Sequence, residues 1–209
     1  MTIIDDPDVI DRLVGAPRAA RIASLRALRP DACRQSEQAY RALFDPGDTA
    51  AERLSRHERF AVAYFVALVH RVPDTADHYR ARLADEGASD VVTATLQALA
   101  ECAAIEGGAA SIGPWGCYPP GPLQAESRPG PIHYPGYAVR RVLGERLAAA
   151  IGHAHLLVLR PRESAMEDLH QLQRAGWSDD AIVTLSQLIS FLTYQLRIVS
   201  ALQALAEET

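Results

Sequence analysis

The run from Phe60 to Val69 reads Phe-Ala-Val-Ala-Tyr-Phe-Val-Ala-Leu-Val and is apolar at every helical angle. A helix on a protein surface keeps one polar face, so a segment of this kind has to be enclosed by other elements. Its start is marked by Ser55-Arg56-His57-Glu58, the Ser-x-x-Glu form of a capping box, in which hydroxyl and carboxylate each satisfy a backbone N–H near the helix start. His70 and Arg71 return the chain to solvent. Folding this sequence therefore requires enough further apolar helix faces to surround one central helix. A chain of 209 residues, 48% of them hydrophobic, can supply them within one domain or two small similar halves.

Helical periodicity dominates the remainder and no useful strand alternation occurs, so the fold class is all-α. Ala19 to Leu28 and Asp31 to Phe44 read as two amphipathic helices divided at Arg29-Pro30, an N-terminal helical extension within residues 1–50. The main domain spans 51–209. Pro73 suits the first turn of a helix that stops at Gly87, and another runs from Ser89 to about Ile105. Residues 107–136 hold seven of the 13 glycines and seven of the 13 prolines, with Trp115, Tyr118 and Tyr134 among them. This insertion is expected to be a packed loop serving as a lid or subunit-contact arm, or else a plain surface connection. Helices resume from Tyr137 to Leu159 and after Pro161, where Ser164-Ala-Met-Glu167 reads as a second capping box. Ser178-Asp179-Asp180 opens the last helix, whose apolar positions Ile182, Leu185, Ile189, Leu192, Leu196 and Val199 step by three and four.

Charge and residue usage exclude several functions. With 21 basic and 26 acidic residues the formal net charge is -5. Neither nucleic acid nor a membrane is expected as a partner. All the basic residues are arginine, which removes Schiff-base chemistry, a Walker lysine and a Ser-Lys dyad. Met1 to Gly15 lacks the pattern of a signal peptide. Phe60–Val69 is too short to span a membrane, and 181–196 is interrupted by Thr184, Ser186, Gln187, Ser190 and Gln195, so a cytoplasmic location is expected. Cys33, Cys102 and Cys117 form neither a disulfide framework nor a zinc spacing. No metal or cofactor is expected.

The run 54–70 followed by Asp77-His-Tyr-Arg-Ala-Arg-Leu-Ala-Asp-Glu-Gly87 resembles the core of the AhpD-like, or carboxymuconolactone decarboxylase, superfamily. So do Asp168 to Ile182 and Ser186 to Arg197, together with Leu123–Pro131 and His153–Pro161, over roughly residues 50 to 205. The resemblance implies an AhpD-like helical bundle, a symmetric homo-oligomer and a small-molecule ligand. The superfamily's peroxidase motif places a glutamate, two cysteines and a histidine where this chain has Phe60, Val72, Thr75 and Tyr79, with Asp74 at an additional histidine position. Every redox position is substituted. A helix N-terminus lowers the pKa of a nearby cysteine and a second cysteine resolves its sulfenic acid, but Val72 and Thr75 can do neither.

The resemblance makes Phe60, His70, Val72, Thr75 and Tyr79 the expected substrate-binding residues. Asp74 and His78 stand four apart on one helix and share a face. They read either as a catalytic pair, with Asp74 raising the pKa of a His78 acid or base, or as a solvated surface pair. Glu58 is expected to cap its helix rather than transfer protons. His153 and His155 point about 200° apart on a helix and so cannot easily share a metal; core or subunit-contact roles fit them better than a pocket role. The leading function is a cysteine-less relative of the alkylhydroperoxidase group acting on or binding a small organic molecule. Open beside it are a decarboxylase- or isomerase-type lyase, a peroxidase using Cys102 or Cys117, and a non-catalytic binding or assembly subunit whose site is filled by Phe60, Val72 and Tyr79.

Overall fold

The capping box forms as its residues require. Ser55 N–H donates to Glu58 Oε2 at 2.9 Å, and Glu58 N–H donates to Ser55 Oγ at 3.2 Å. From it runs α4 (Arg56–Val69), in which every residue from Phe60 to Ala67 is buried. The computed structural model describes residues 8–45, 47, 53–106, 115–128 and 130–208.

The other helices in chain order are α1 (Val9–Val14), α2 (Ala16–Ala27), α3 (Pro30–Phe44), α5 (Pro73–Asp85), α6 (Asp90–Glu106), α7 (Tyr137–Leu159), α8 (Met166–Arg174) and α9 (Asp179–Glu208). No strand occurs among the described residues, and the fold is all-α. Around α4 pack α3, α5, α6, α7 and α9. Helix α9 is the second organising element, touching α1, α2, α3, α7 and α8 as well. Its Ala181, Leu185, Leu188, Ile189, Leu192, Leu196 and Val199 are all buried, the stripe that the three-and-four spacing dictates.

The N-terminal helices share this core instead of standing outside it. Val9, Ile10, Leu13 and Val14 of α1 are buried in the same continuous cluster as Phe60 and Leu196. Sequence reading found no helix here. The reason it forms is local: Asp8 caps it by accepting from Asp11 N–H at 3.0 Å, and Glu37 of α3 accepts from Val9 N–H at 2.7 Å. Arg26 of α2 then bridges Asp8 at 2.5 Å and Asp11 at 3.0 Å, fastening α2 to the start of α1.

Two further expectations change. Helix α8 begins one residue later than the Ser164 reading: Ala165 is its N-cap, and Asp168, not Glu167, reaches back to Ala165 N–H at 2.8 Å. Helix α7 is bent at Gly144, whose φ of 78° and ψ of 159° lie outside the helical region and in territory that a side chain resists. By length and composition alone, α7 and α9 could each cross a membrane, because the polar interruptions of α9 are uncharged; in the fold 61% and 44% of their most apolar windows are buried.

In the insertion, residues 107–114 and 129 lie outside the described residues. The part described packs along the end of α7. Trp115 N–H donates to Leu159 O at 2.6 Å, and Gly116 and Arg128 exchange hydrogen bonds at 2.8 and 3.1 Å. Trp115 lies so close on Gly130 that a Cβ there would come within 2.5 Å of it.

One buried cation ties the start of α4 to the end of α3. Arg59, 1% exposed, donates from Nε to Leu54 O at 2.8 Å and from Nη1 to Leu43 O at 2.5 Å. Replacing it with methionine keeps most of the volume but strands two buried carbonyls. Arg59→Met is expected to lower unfolding free energy by about 2–3 kcal/mol. Urea denaturation measures this, and a change below about 0.5 kcal/mol, the scale of an ordinary surface substitution, would contradict it.

Candidate functional site

Helices α4 and α5 carry most of the residues expected to line a site, and four of them are closed off. Phe60, Val72, Thr75 and Tyr79 are between 0% and 5% exposed. Phe44 of α3 explains the closure: its ring stacks on Phe60 at 5.1 Å and on Tyr79 at 5.4 Å between centroids. The Tyr79 hydroxyl donates to Gln195 Oε1 of α9 at 2.5 Å, and burial holds its pKa well above the usual phenol range. These side chains form a packed wall, the arrangement expected of a filled site. His70 caps the C-terminus of α4, half-buried with Nε2 unpartnered; burial, then the Arg197 charge, takes its pKa down to about 4.

Asp74 and His78 turn to different partners. The exposed Asp74 carboxylate accepts from Arg18 Nη1 at 3.5 Å and from Gln203 Nε2 at 3.3 Å. His78 Nε2 instead faces the Tyr40 hydroxyl at 3.4 Å. Asp74 was expected to raise the His78 pKa, but burial, followed by the charges of Arg82 and Arg12, lowers it to about 4. The i,i+4 spacing is real, but α2 and α9 claim the carboxylate while α3 meets the imidazole.

What His78 does join is an open cleft of about 490 Å³ between the N-terminal helices and α5. Four arginines line it, Arg12, Arg41, Arg56 and Arg82, against the carboxylates of Glu37 and Asp45. Arg41 pairs with Glu37 at 2.7 Å, and Arg56 pairs with Asp45 at 3.0 Å and with Glu86 at 2.8 Å. Burial pushes the Glu37 carboxyl up, but Arg41, the Val9 N–H and Arg12 together bring it below its ordinary value. Tyr40 is pushed up by burial. At neutral pH the cleft therefore presents an uncharged imidazole beside a protonated phenol in a field of guanidinium groups. Such a set can bind an anionic oxygen and pass a proton between imidazole and ligand.

The remaining candidates have structural duties. Glu58 completes the capping box and pairs with Arg146 at 2.6 Å. His155 is fully buried with both ring nitrogens unpartnered, its ring 5.6 Å from that of His133. Cys33, Cys102 and Cys117 are free thiols, and burial raises the Cys33 pKa, so it is no ready nucleophile. Among the described residues no group of three potential ligands is placed to hold a metal ion.

Sequence reading missed Tyr40, Arg12 and Arg82, which come from α1, α3 and α5. Only the packing of the N-terminal helices on α5 brings them to His78, and no spacing encodes that. No family model, curated protein or solved structure matches this chain, so the chemistry of the site has to carry its interpretation.

The buried histidines also set an acid limit on stability. His70, His78 and His155 all have folded pKa values of about 4, below the ordinary 6.5, chiefly through burial. A lowered histidine pKa means that the unfolded chain binds more protons between those values. Stability is thus complete above about pH 6.5 and declines as pH falls towards 4. For the fully buried His155 the loss is on the order of 3 kcal/mol. Urea midpoints measured from pH 7 to pH 4.5 should fall steeply in wild type and less so in His155→Leu; parallel curves would contradict the assignment.

Proposed function

We propose that this protein binds a small organic carboxylate in the arginine-lined cleft and that His78 and Tyr40 serve proton transfer to it. The observation that carries the reading is the neutral His78 imidazole, 3.4 Å from the Tyr40 hydroxyl, among Arg12, Arg56 and Arg82. A carboxylate entering there would offset the Arg82 and Arg12 charges, which add to burial in keeping the imidazole unprotonated. The His78 pKa would then rise and the ring would become a working acid or base only with ligand bound.

The reading belongs to a cysteine-less member of the AhpD-like superfamily, with chemistry of the decarboxylase or isomerase type rather than peroxide reduction. Two observations support it: the redox positions hold Phe60, Val72, Thr75 and Tyr79, all packed, and proton transfer needs no thiol. The filling of that wall also favours a second reading, a binding subunit without turnover at the cleft. Assembly into a symmetric homo-oligomer belongs to the same proposal.

Succinate is a suitable probe because each of its two carboxylates can accept charge-assisted hydrogen bonds from a guanidinium of the lining. Titration calorimetry should show binding by wild type and a loss of about tenfold or more in Arg82→Gln and Arg12→Gln, the size of a charge-assisted contact. His78→Gln should retain binding but abolish the ligand-induced proton uptake seen when buffers of different ionisation enthalpy are compared. Failure of succinate, adipate and benzoate to bind, or binding unaltered in the arginine variants, would refute the cleft as the site. Binding without proton uptake in wild type would favour the non-catalytic reading.

A further inference from the structure

A second cavity, of about 550 Å³, lies away from the cleft, walled by the end of the insertion, by α7 and by α8. Its polar lining includes Arg140, Arg160, Arg174, His133, His153 and Asp168. The bend at Gly144 separates the first turns of α7 from the rest, and Arg140 from those turns reaches back to Pro135 O at 2.9 Å and to Glu145 at 2.6 Å. Asp168 is engaged as the carboxylate cap of α8, through Ala165 N–H. Arg174 pairs with Glu167 at 2.5 Å, outside the lining. The walls thus carry three guanidinium groups, each paired with one carboxylate, Glu145, Glu163 or Glu167.

Two buried side chains of the lining keep one polar atom each without a protein partner. Arg160 is 7% exposed; its Nη1 holds Glu163, but its Nε–H donates to nothing. His153 is 5% exposed, with Nε2 3.1 Å from Ser186 Oγ and Nδ1 unpartnered. The tautomer follows from the next bond along. Ser186 spends its proton on Ile182 O at 2.9 Å, so it must accept from His153, and His153 must carry its hydrogen on Nε2. Nδ1 is then a bare acceptor. Burial lowers the pKa of this ring against the opposing pull of Asp168, so it is neutral at physiological pH and stays an acceptor.

Of the lining residues, Arg160 therefore lacks an acceptor and His153 lacks a donor, and Leu156, Leu172 and Ala149 add apolar surface to the same cavity. We propose that this cavity is a binding site for a small hydroxycarboxylate with an apolar tail, its carboxylate taken by Arg160 and its hydroxyl donated to His153 Nδ1. The volume lies within the range of ordinary small-molecule sites. The site is separate from the His78 cleft, shares no residue with it, and stands whether or not the cleft proves catalytic.

Mandelate and phenylacetate make the test, since they differ only in the hydroxyl. Mandelate should bind wild type at least about tenfold more tightly than phenylacetate, the worth of one hydrogen bond to a buried acceptor. His153→Phe should bring mandelate to the phenylacetate level, while Arg174→Gln, at the exposed mouth, keeps the preference and weakens both ligands. Nitrogen-15 spectra of the histidine rings add a readout independent of variant folding: mandelate should shift His153 Nδ1 whether or not His78, in the carboxylate-binding cleft, responds as well. Equal binding of the two ligands, a shift confined to His78, or no binding of mandelate to wild type would each overturn the proposal.

Discussion

The enclosure of α4 is the constraint on which the remaining structure depends. A helix apolar on all sides is stable only when surrounded, and removing a single large buried side chain such as Phe65 would cost about 3–5 kcal/mol. Its start is correspondingly over-determined. Ser55 and Glu58 satisfy the first turn, Arg146 of α7 reaches Glu58 at 2.6 Å and Arg53 O at 2.5 Å, and Arg59 holds the carbonyls of Leu43 and Leu54. The Arg146 bonds attach α7 and the Leu43 bond attaches α3 to the same few residues, so the position of α4 fixes theirs.

Function follows from what that enclosure displaces. Phe44, Phe60 and Tyr79 fill the space between α3, α4 and α5, and the cleft borders that packing at Phe44. His78 and Tyr40 meet there, half-buried, with arginines converging from α1, α4 and α5. A chain without lysine supplies every side-chain cation as guanidinium, which stays protonated when partly buried and spreads its charge over a planar fork. That explains how one buried arginine donates to two backbone carbonyls at the start of α4 while others help to depress the pKa of a histidine.

Much of the fold was legible because it rests on local patterns. The capping box at Ser55, Pro73 at the first turn of α5, the Ser178 cap of α9 and its apolar stripe are all where short-range physics puts them. The first helix is also written in the sequence, since Val9, Ile10, Leu13 and Val14 make one apolar face behind Asp8. The site was less legible. Spacing places Asp74 and His78 four apart on one helix, yet which partner each meets depends on α2, α3 and α9 arriving from distant parts of the chain. The tautomer of His153 is likewise set by Ser186, on another helix, and no periodicity announces the bend at Gly144.

The central claim is that burial and converging guanidinium charge keep the His78 imidazole neutral at the mouth of the cleft. Its pKa in the ligand-free protein, followed by nitrogen-15 NMR with His78→Gln to assign the signal, tests this most directly. The account predicts a value of about 4, moving upward in Arg82→Gln. A value at or above the ordinary 6.5 of histidine, or one indifferent to Arg82, would contradict it.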